Sequence, residues 1–342
     1  MENTQNEADG EELEASEIVS EQPAKQRKIR SGELFTRYGL LIAWAVVIVV
    51  FSIVRPQVFF TLTNFQSILS TQSVLLIVSL ALVPAMAAGE FDLSVGGVVG
   101  LSLVIIGYLN ILKGVPIGIA ILVAMASGLA VGLINAFFVV YVGIGSMVTT
   151  LGMGSLLYGV AMAINNLSIS GISDVLVNAC RTKVFGVQMA FYYALMLTLV
   201  IWYIFEYTPL GRYIFFVGAG RDAARLTGIR VDAIRAGTLI ASSVISAFAG
   251  VVLAGILGSA GPTAGASYLL PAFASAYLGS TTIKPGRFNA WGVFVAVYFL
   301  VTGITGLQLV GLSGWIEQVF YGASLILAVA FSYLAGKKRT SS

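Results

Sequence analysis

The chain has 342 residues, of which 58% are hydrophobic and only 10% charged, with a formal net charge of +3. Its mean hydropathy is +0.92; a soluble domain carries about 25% charged residues, so one water-soluble core cannot hide this much apolar surface and lipid must cover much of it. The lack of histidine excludes imidazole acid–base chemistry and imidazole metal ligation, and the single cysteine, Cys180, excludes an intrachain disulfide.

In chain order, residues 1–30 differ from the rest. MENTQNEADGEELEASEIVSEQ holds eight acids and no base, and KQRKIR then turns basic. Such a polar stretch is expected to form a disordered tail, and it lacks the pattern of a secretory signal. Beyond it the pattern predicts an all-α polytopic membrane protein over residues 31–336, followed by a basic tail at 337–342. We read about ten transmembrane helices, at roughly 39–54, 67–88, 93–112, 116–142, 146–164, 186–205, 236–258, 263–279, 290–307 and 315–335. The eighth has only eleven firmly apolar residues, LLPAFASAYLG. It either spans or forms a re-entrant half-helix surrounded by protein.

With ten spans, 15 of the 19 Lys and Arg residues fall on one side. The positive-inside rule makes that side cytoplasmic, together with both termini. The pairs Gly96/Gly100, Gly114/Gly118 and Gly128/Gly132 have the four-residue spacing that lets helices approach closely within a bundle.

Two carboxylates interrupt the apolar pattern in AAGEFDLSVGG, residues 87–97. Each costs about 2.5–3.5 kcal/mol at the centre of a membrane helix. Asp92 stands where the third span begins and can accept from the backbone N–H of Ser94 or Val95 as a helix cap. The other reading is a broken membrane segment bordering a solute path. Glu90 has no capping role. It must share a proton, find a cationic or hydroxyl partner, or face water in a vestibule, and water is the expectation here.

The loop at 207–235, YTPLGRYIFFVGAGRDAARLTGIRVDAIR, holds five Arg against two Asp. GRDAARLTGI within it predicts a two-turn helix, with Asp222 near its start and Gly228 with Ile229 as a stop. Leu226 and Ile229 then form apolar teeth among arginines. This shape suits a groove on a soluble partner, or equally a basic loop resting on anionic headgroups.

TPLGRYIFFVGAGRDAARLTGIRVDAIR closely resembles the cytoplasmic coupling loop of ribose-type sugar permeases, the membrane subunits of ATP-binding-cassette (ABC) importers. GEFDLSVGG resembles their G-I-D-L-S-V-G signature, and SAGPTAGASYLL their Q-P-T-A-G-x-G-Y-E-L stretch. FTLTNFQSILSTQSV, LGSTTIKPGRFNAWG and WIEQVFYGASLILAVAFS continue the match in family order, from about residue 35 to 335. The resemblance implies an importer subunit in the cell membrane, paired with a second permease subunit. An ABC ATPase subunit would dock on the loop, and an extracytoplasmic sugar-binding protein would deliver solute. It assigns Arg212, Arg221, Asp222, Ala223, Ala224, Arg225, Leu226 and Gly228 to ATPase coupling. Asp92, Leu93, Ser94, Val95 and Gly96 fall in the signature beside the pathway, with Glu90 next to it. The chain departs from the family pattern at Glu90-Phe91, where a small residue and Ile are common. It departs again at Gly218-Ala219-Gly220-Arg221, where Gly-Gly-Asn is common.

No phosphate-binding G-x-x-x-x-G-K-[ST] occurs, so a cofactor of the chain's own is not expected and ATP would be used by the partner. Nothing points to nucleic acid, a metal, or a spaced catalytic dyad, so no enzymatic activity is expected. Gln72, Asn135, Asn165, Asn166 and Tyr268 are candidates for sugar contact, or simply satisfy neighbouring backbone and anchor interfaces. The alternative function is an ion-coupled secondary transporter working without an ATPase.

Overall fold

The computed structural model describes residues 31–340, so the expected disorder of the acidic tail at 1–30 lies outside the described residues. The described chain is nearly all helical. Helix α1 (Ser31–Val54) is followed by α2 (Leu62–Thr71), whose start is capped by Thr61, the hydroxyl oxygen accepting from Asn64 N at 3.2 Å. A bend of 45° at Gln72 joins α2 to α3 (Ser73–Ala87). All fifteen residues of α3 are buried. A helix apolar on every side belongs at the centre of a bundle, and α3 lies there.

Next come α4 (Val95–Gly107) and α5 (Ile117–Ala136), each prolonged by a π-helical turn, to Leu112 and Tyr141 respectively. They are followed by α6 (Ser146–Ile164), the short amphipathic α7 (Asp174–Arg181) and α8 (Met189–Tyr207). Helices α9 (Pro209–Ala219) and α10 (Arg221–Leu226) precede α11 (Val231–Leu257). The C-terminal part holds α12 (Leu269–Gly279), α13 (Ala290–Leu309) and α14 (Trp315–Thr340). Two small antiparallel pairs join the loops. β1 (Ile169–Ser170) pairs with β4 (Ser259–Ala260), and β2 (Lys183–Val184) with β3 (Val187–Gln188).

The core is built by α11 against α3, α4 and α5, and glycine makes the closest contacts possible. A Cβ at Gly132 would come within 2.8 Å of the Ile240 Cα, and one at Gly128 within 3.0 Å of the Ser243 carbonyl. The Gly128/Gly132 pair therefore packs inside the chain, as its spacing predicts. Gly96 and Gly100 face the loop before α12, whereas Gly114 and Gly118 meet no neighbour within 4 Å.

Among the described residues, seven helices are long and apolar enough to cross a bilayer, and the bent α2–α3 pair makes an eighth when counted as one span. The protein is thus a polytopic membrane protein. The two other predicted spans fall on shorter apolar helices: the eleven residues of α12 and the Trp315–Ala330 part of α14. Large apolar side chains such as Leu122 and Val148 stand exposed on α5 and α6, as lipid-facing surfaces require.

Candidate functional site: the α3–α4 break and the loop beneath it

Helix α3 stops at Ala87, and Gly89 turns the chain with φ +77°, a left-handed conformation in which glycine is unstrained. The extended stretch before α4 leaves backbone groups without helical partners. Hydroxyls at the start of α6 meet that need. Phe91 N donates to Ser146 Oγ at 3.1 Å, Leu93 N donates to Thr150 Oγ1 at 2.9 Å, and the Thr150 hydroxyl lies 3.1 Å from the Phe91 carbonyl. The break is a braced feature of the fold.

Asp92 is fully buried and accepts from Ser94 N as expected. The helix, however, begins at Val95 with Ser94 as its cap residue, so Asp92 closes the turn ahead of α4 and does not cap the helix itself. Its Oδ1 accepts from Ser94 N at 3.0 Å and from Ser94 Oγ at 2.5 Å, and Asn135 Nδ2 donates to Ser94 Oγ at 2.9 Å. Asp92 Oδ2, Asn135 Oδ1, Ser242 Oγ and Ser243 Oγ are buried polar atoms without a hydrogen-bond partner among the described residues.

Glu90 does not meet water. Its side chain is 2% exposed and is held between two guanidinium groups: Arg235 Nε donates to Glu90 Oε1 at 2.5 Å, and Arg221 Nη2 donates to the same oxygen at 2.8 Å. The reason is electrostatic: a buried carboxylate is tolerated only when paired and hydrogen-bonded. The pairing continues outward, since Asp232 lies 3.9 Å from Arg235 and accepts from Arg225 at 3.1 Å. Five charges of alternating sign, Arg221, Glu90, Arg235, Asp232 and Arg225, thereby connect the break to both ends of α10.

The loop itself is seated directly on the break. Gly218, at the end of α9, lies so close to the Ala87 carbonyl that a Cβ there would overlap it. After α10, Gly228 adopts φ +80° and its N–H donates to the Arg225 carbonyl at 3.0 Å, while Ile229 N donates to Ala224 O at 3.2 Å. These two bonds form a Schellman cap, which is why Gly follows the helix. Ala224 is buried under the turn, whereas Leu226 is 90% exposed at its tip. Arg212, Arg221, Asp222, Ala223, Arg225 and Gly228 are exposed as well. A groove of about 690 Å³ runs between α9 and the α10–α11 turn, with Tyr213 and Phe216 on one wall and Ile229 and Ile234 on the other.

On its other flank the break borders a cleft of about 270 Å³. Gly96, Gly97 and Gly100 of α4 line it together with Gly154 and Tyr158 of α6 and Pro262 of the loop before α12. A Cβ at Gly96 would stand 3.1 Å from the Gly265 carbonyl, so GEFDLSVGG and SAGPTAGASYLL form adjoining walls.

These walls, the braced break and the seated loop occupy the region that a known protein family shares. The profile of the family described as "Branched-chain amino acid transport system / permease component" matches residues 64–329. The chain belongs to this family. Among its relatives is the D-allose transport system permease protein of Escherichia coli, 27% identical over 320 residues, covering 93% of this chain and 98% of the relative. The autoinducer 2 import system permease protein of Photorhabdus laumondii is 30% identical over 306 residues, 86% of this chain and 91% of the relative. The ribose import permease protein of Haemophilus influenzae is 29% identical over 313 residues, 90% of this chain and 96% of the relative. No solved structure matches. The resemblance to sugar and autoinducer importer permeases thus holds over most of the chain, which is a multi-pass transport component of the cell membrane.

In this permease the four residues singled out beside the pathway separate. Gly96 lines the cleft, Asp92 and Ser94 are buried behind it, and Glu90 turns toward the loop. Asn135 braces Ser94, and Asn165 Nδ2 donates to the Leu167 carbonyl. Gln72 marks the α2–α3 bend, and Tyr268 lies in a short 3-10 turn before α12. Three site residues escaped sequence reasoning. Arg235 was one more base of a basic loop, and Ser146 and Thr150 were ordinary hydroxyls in a span. The signal that could have found Arg235 is its demand for an acid once α11 starts at Val231 and places it one turn inside.

Proposed function

We propose that the chain is the membrane-spanning subunit of an ATP-driven importer, carrying a sugar or sugar-like small solute into the cytoplasm. Its partners are an ABC ATPase subunit that hydrolyses ATP, an extracytoplasmic sugar-binding protein, and a second permease subunit. The chain holds no cofactor of its own. Ten spans with both termini cytoplasmic fit this role, with 207–235 as the cytoplasmic coupling loop. Arg212, Arg221, Asp222, Ala223, Ala224, Arg225, Leu226 and Gly228 form or support the ATPase contact, and Asp92, Ser94 and Gly96 belong to the wall of the solute path. The relatives, whose names specify D-allose, ribose and autoinducer 2 import, support this substrate class.

The observation that carries this reading is α10, a capped helix that projects Leu226, 90% exposed, beside an aromatic groove and among arginines. A fully exposed leucine at a rigid tip is an anchor for a pocket on another protein. The test is Arg225→Glu with Leu226→Asp, followed by purification of the membrane complex. Loss of the ATPase with a folded membrane domain is the expected result, and undiminished co-purification refutes docking here. Concentrative uptake by the chain alone in vesicles, collapsing with an ion gradient, would instead establish a secondary transporter.

A further inference from the structure

We infer that Glu90 is a positioning residue which ties the ATPase-docking helix to the membrane break, so that movement of the loop is delivered to the wall of the solute path. The inference rests on the function proposed above and assigns the residue that links its two halves.

The geometry makes the link specific. Glu90 follows Gly89 at the end of α3 and precedes Asp92 by two residues, and its N–H donates to Ala85 O at 2.9 Å. Its side chain is directed away from Asp92 and toward Arg221, the first residue of α10, and Arg235 on α11. Arg221 Nη2 also lies 3.4 Å from the Gly89 carbonyl, so one guanidinium grips both backbone and carboxylate of the turn. The far end of α10 is tied through Arg225 and Asp232 to the start of α11. Displacement of α10 by a partner must therefore either drag residues 89–92 or part the half-exposed Arg221 from the sealed Glu90 carboxylate. Residues 89–92 are the segment whose neighbours, Gly96 and Gly97, line the cleft. The two stretches at which the chain departs from its family pattern, Glu90-Phe91 and Gly218-Ala219-Gly220-Arg221, are thus joined by one ion pair between Glu90 and Arg221.

The experiment is amide hydrogen exchange on the full complex, isolated through a tag on the ATPase so that only docked chains are measured. Exchange is compared without nucleotide and with Mg-ATP plus vanadate. In the wild type the exchange of residues 89–95 should change by about tenfold between the two states, a typical coupling between distant sites. In Arg221→Gln, and independently in Glu90→Gln, the nucleotide-dependent change should fall below about twofold, with Arg221→Lys restoring most of it. A role confined to stability would lower the yield of complex but leave the nucleotide response of the surviving molecules intact. A full response in either glutamine variant overturns the inference while leaving the proposed function standing. Failure of the wild type to retain any ATPase overturns both.

Discussion

Truncating Glu90 to alanine measures how the membrane break is held. The carboxylate is 2% exposed and serves two guanidinium groups that differ in burial, Arg235 with 11% of its side chain exposed and Arg221 with 43%. Removing it leaves the buried Arg235 with only the distant, half-exposed Asp232 at 3.9 Å as a counter-charge, and breaking a buried pair costs about 3–5 kcal/mol. Arg221 can turn to water, so its share resembles a surface ion pair, about 0.2–1 kcal/mol. The predicted order is therefore Glu90→Ala far more destabilising than Arg221→Ala, with Glu90→Ala plus Arg235→Met recovering much of the loss, because an apolar side chain of similar length refills the site. The assay is unfolding of the purified protein in mild detergent, titrated with a denaturing detergent and followed by tryptophan fluorescence. Equal costs for Glu90→Ala and Arg221→Ala would refute the reasoning, as would no recovery in the double variant.

Two further predictions concern the surroundings of the site. Thr150→Val keeps the shape of α6 but removes the acceptor for Leu93 N, so it should cost about 1–3 kcal/mol, visible in the same unfolding assay, whereas Thr149→Val, at a buried hydroxyl with no partner, should cost less. The Cys180 thiol, on α7 outside the membrane spans, is buried and pushed up to about 11 by that burial. Maleimide should therefore label the folded protein poorly at neutral pH and label it fully after denaturation; rapid labelling of the folded form would contradict the packing of Cys180 against α11.

Much of the architecture was legible because apolar periodicity and length report directly on lipid exposure. The span expected at 146–164 is α6 itself, and LLPAFASAYLG is α12, residue for residue. The short loop helix was legible too, since Asp222 and Gly228 are terminal signals that act within a few residues. The site was legible only in part. Asp92 bonds to its close neighbour Ser94, so local reasoning reached it. Glu90 bonds to residues 131 and 145 positions away, and periodicity names faces without naming partners. Water was the default expectation because a lone acid offers no clue to distant bases. The braces from Ser146 and Thr150 were hidden for a similar reason: a hydroxyl in a span satisfies its own helix as readily as a neighbouring strand, and Thr150 Oγ1 is placed to do both.

The row of alternating charges grades from dry to wet. Arg225 and Asp232 have side chains 55% and 52% exposed, whereas Glu90 is sealed. Dissolved ions act over a Debye length of about 8 Å at physiological strength, and they weaken exposed pairs while leaving enclosed ones nearly untouched. Brine would therefore loosen the outer clasp of α10 first and its inner end last, giving the loop a stiffness that varies along its length with the saltiness of the surrounding solution.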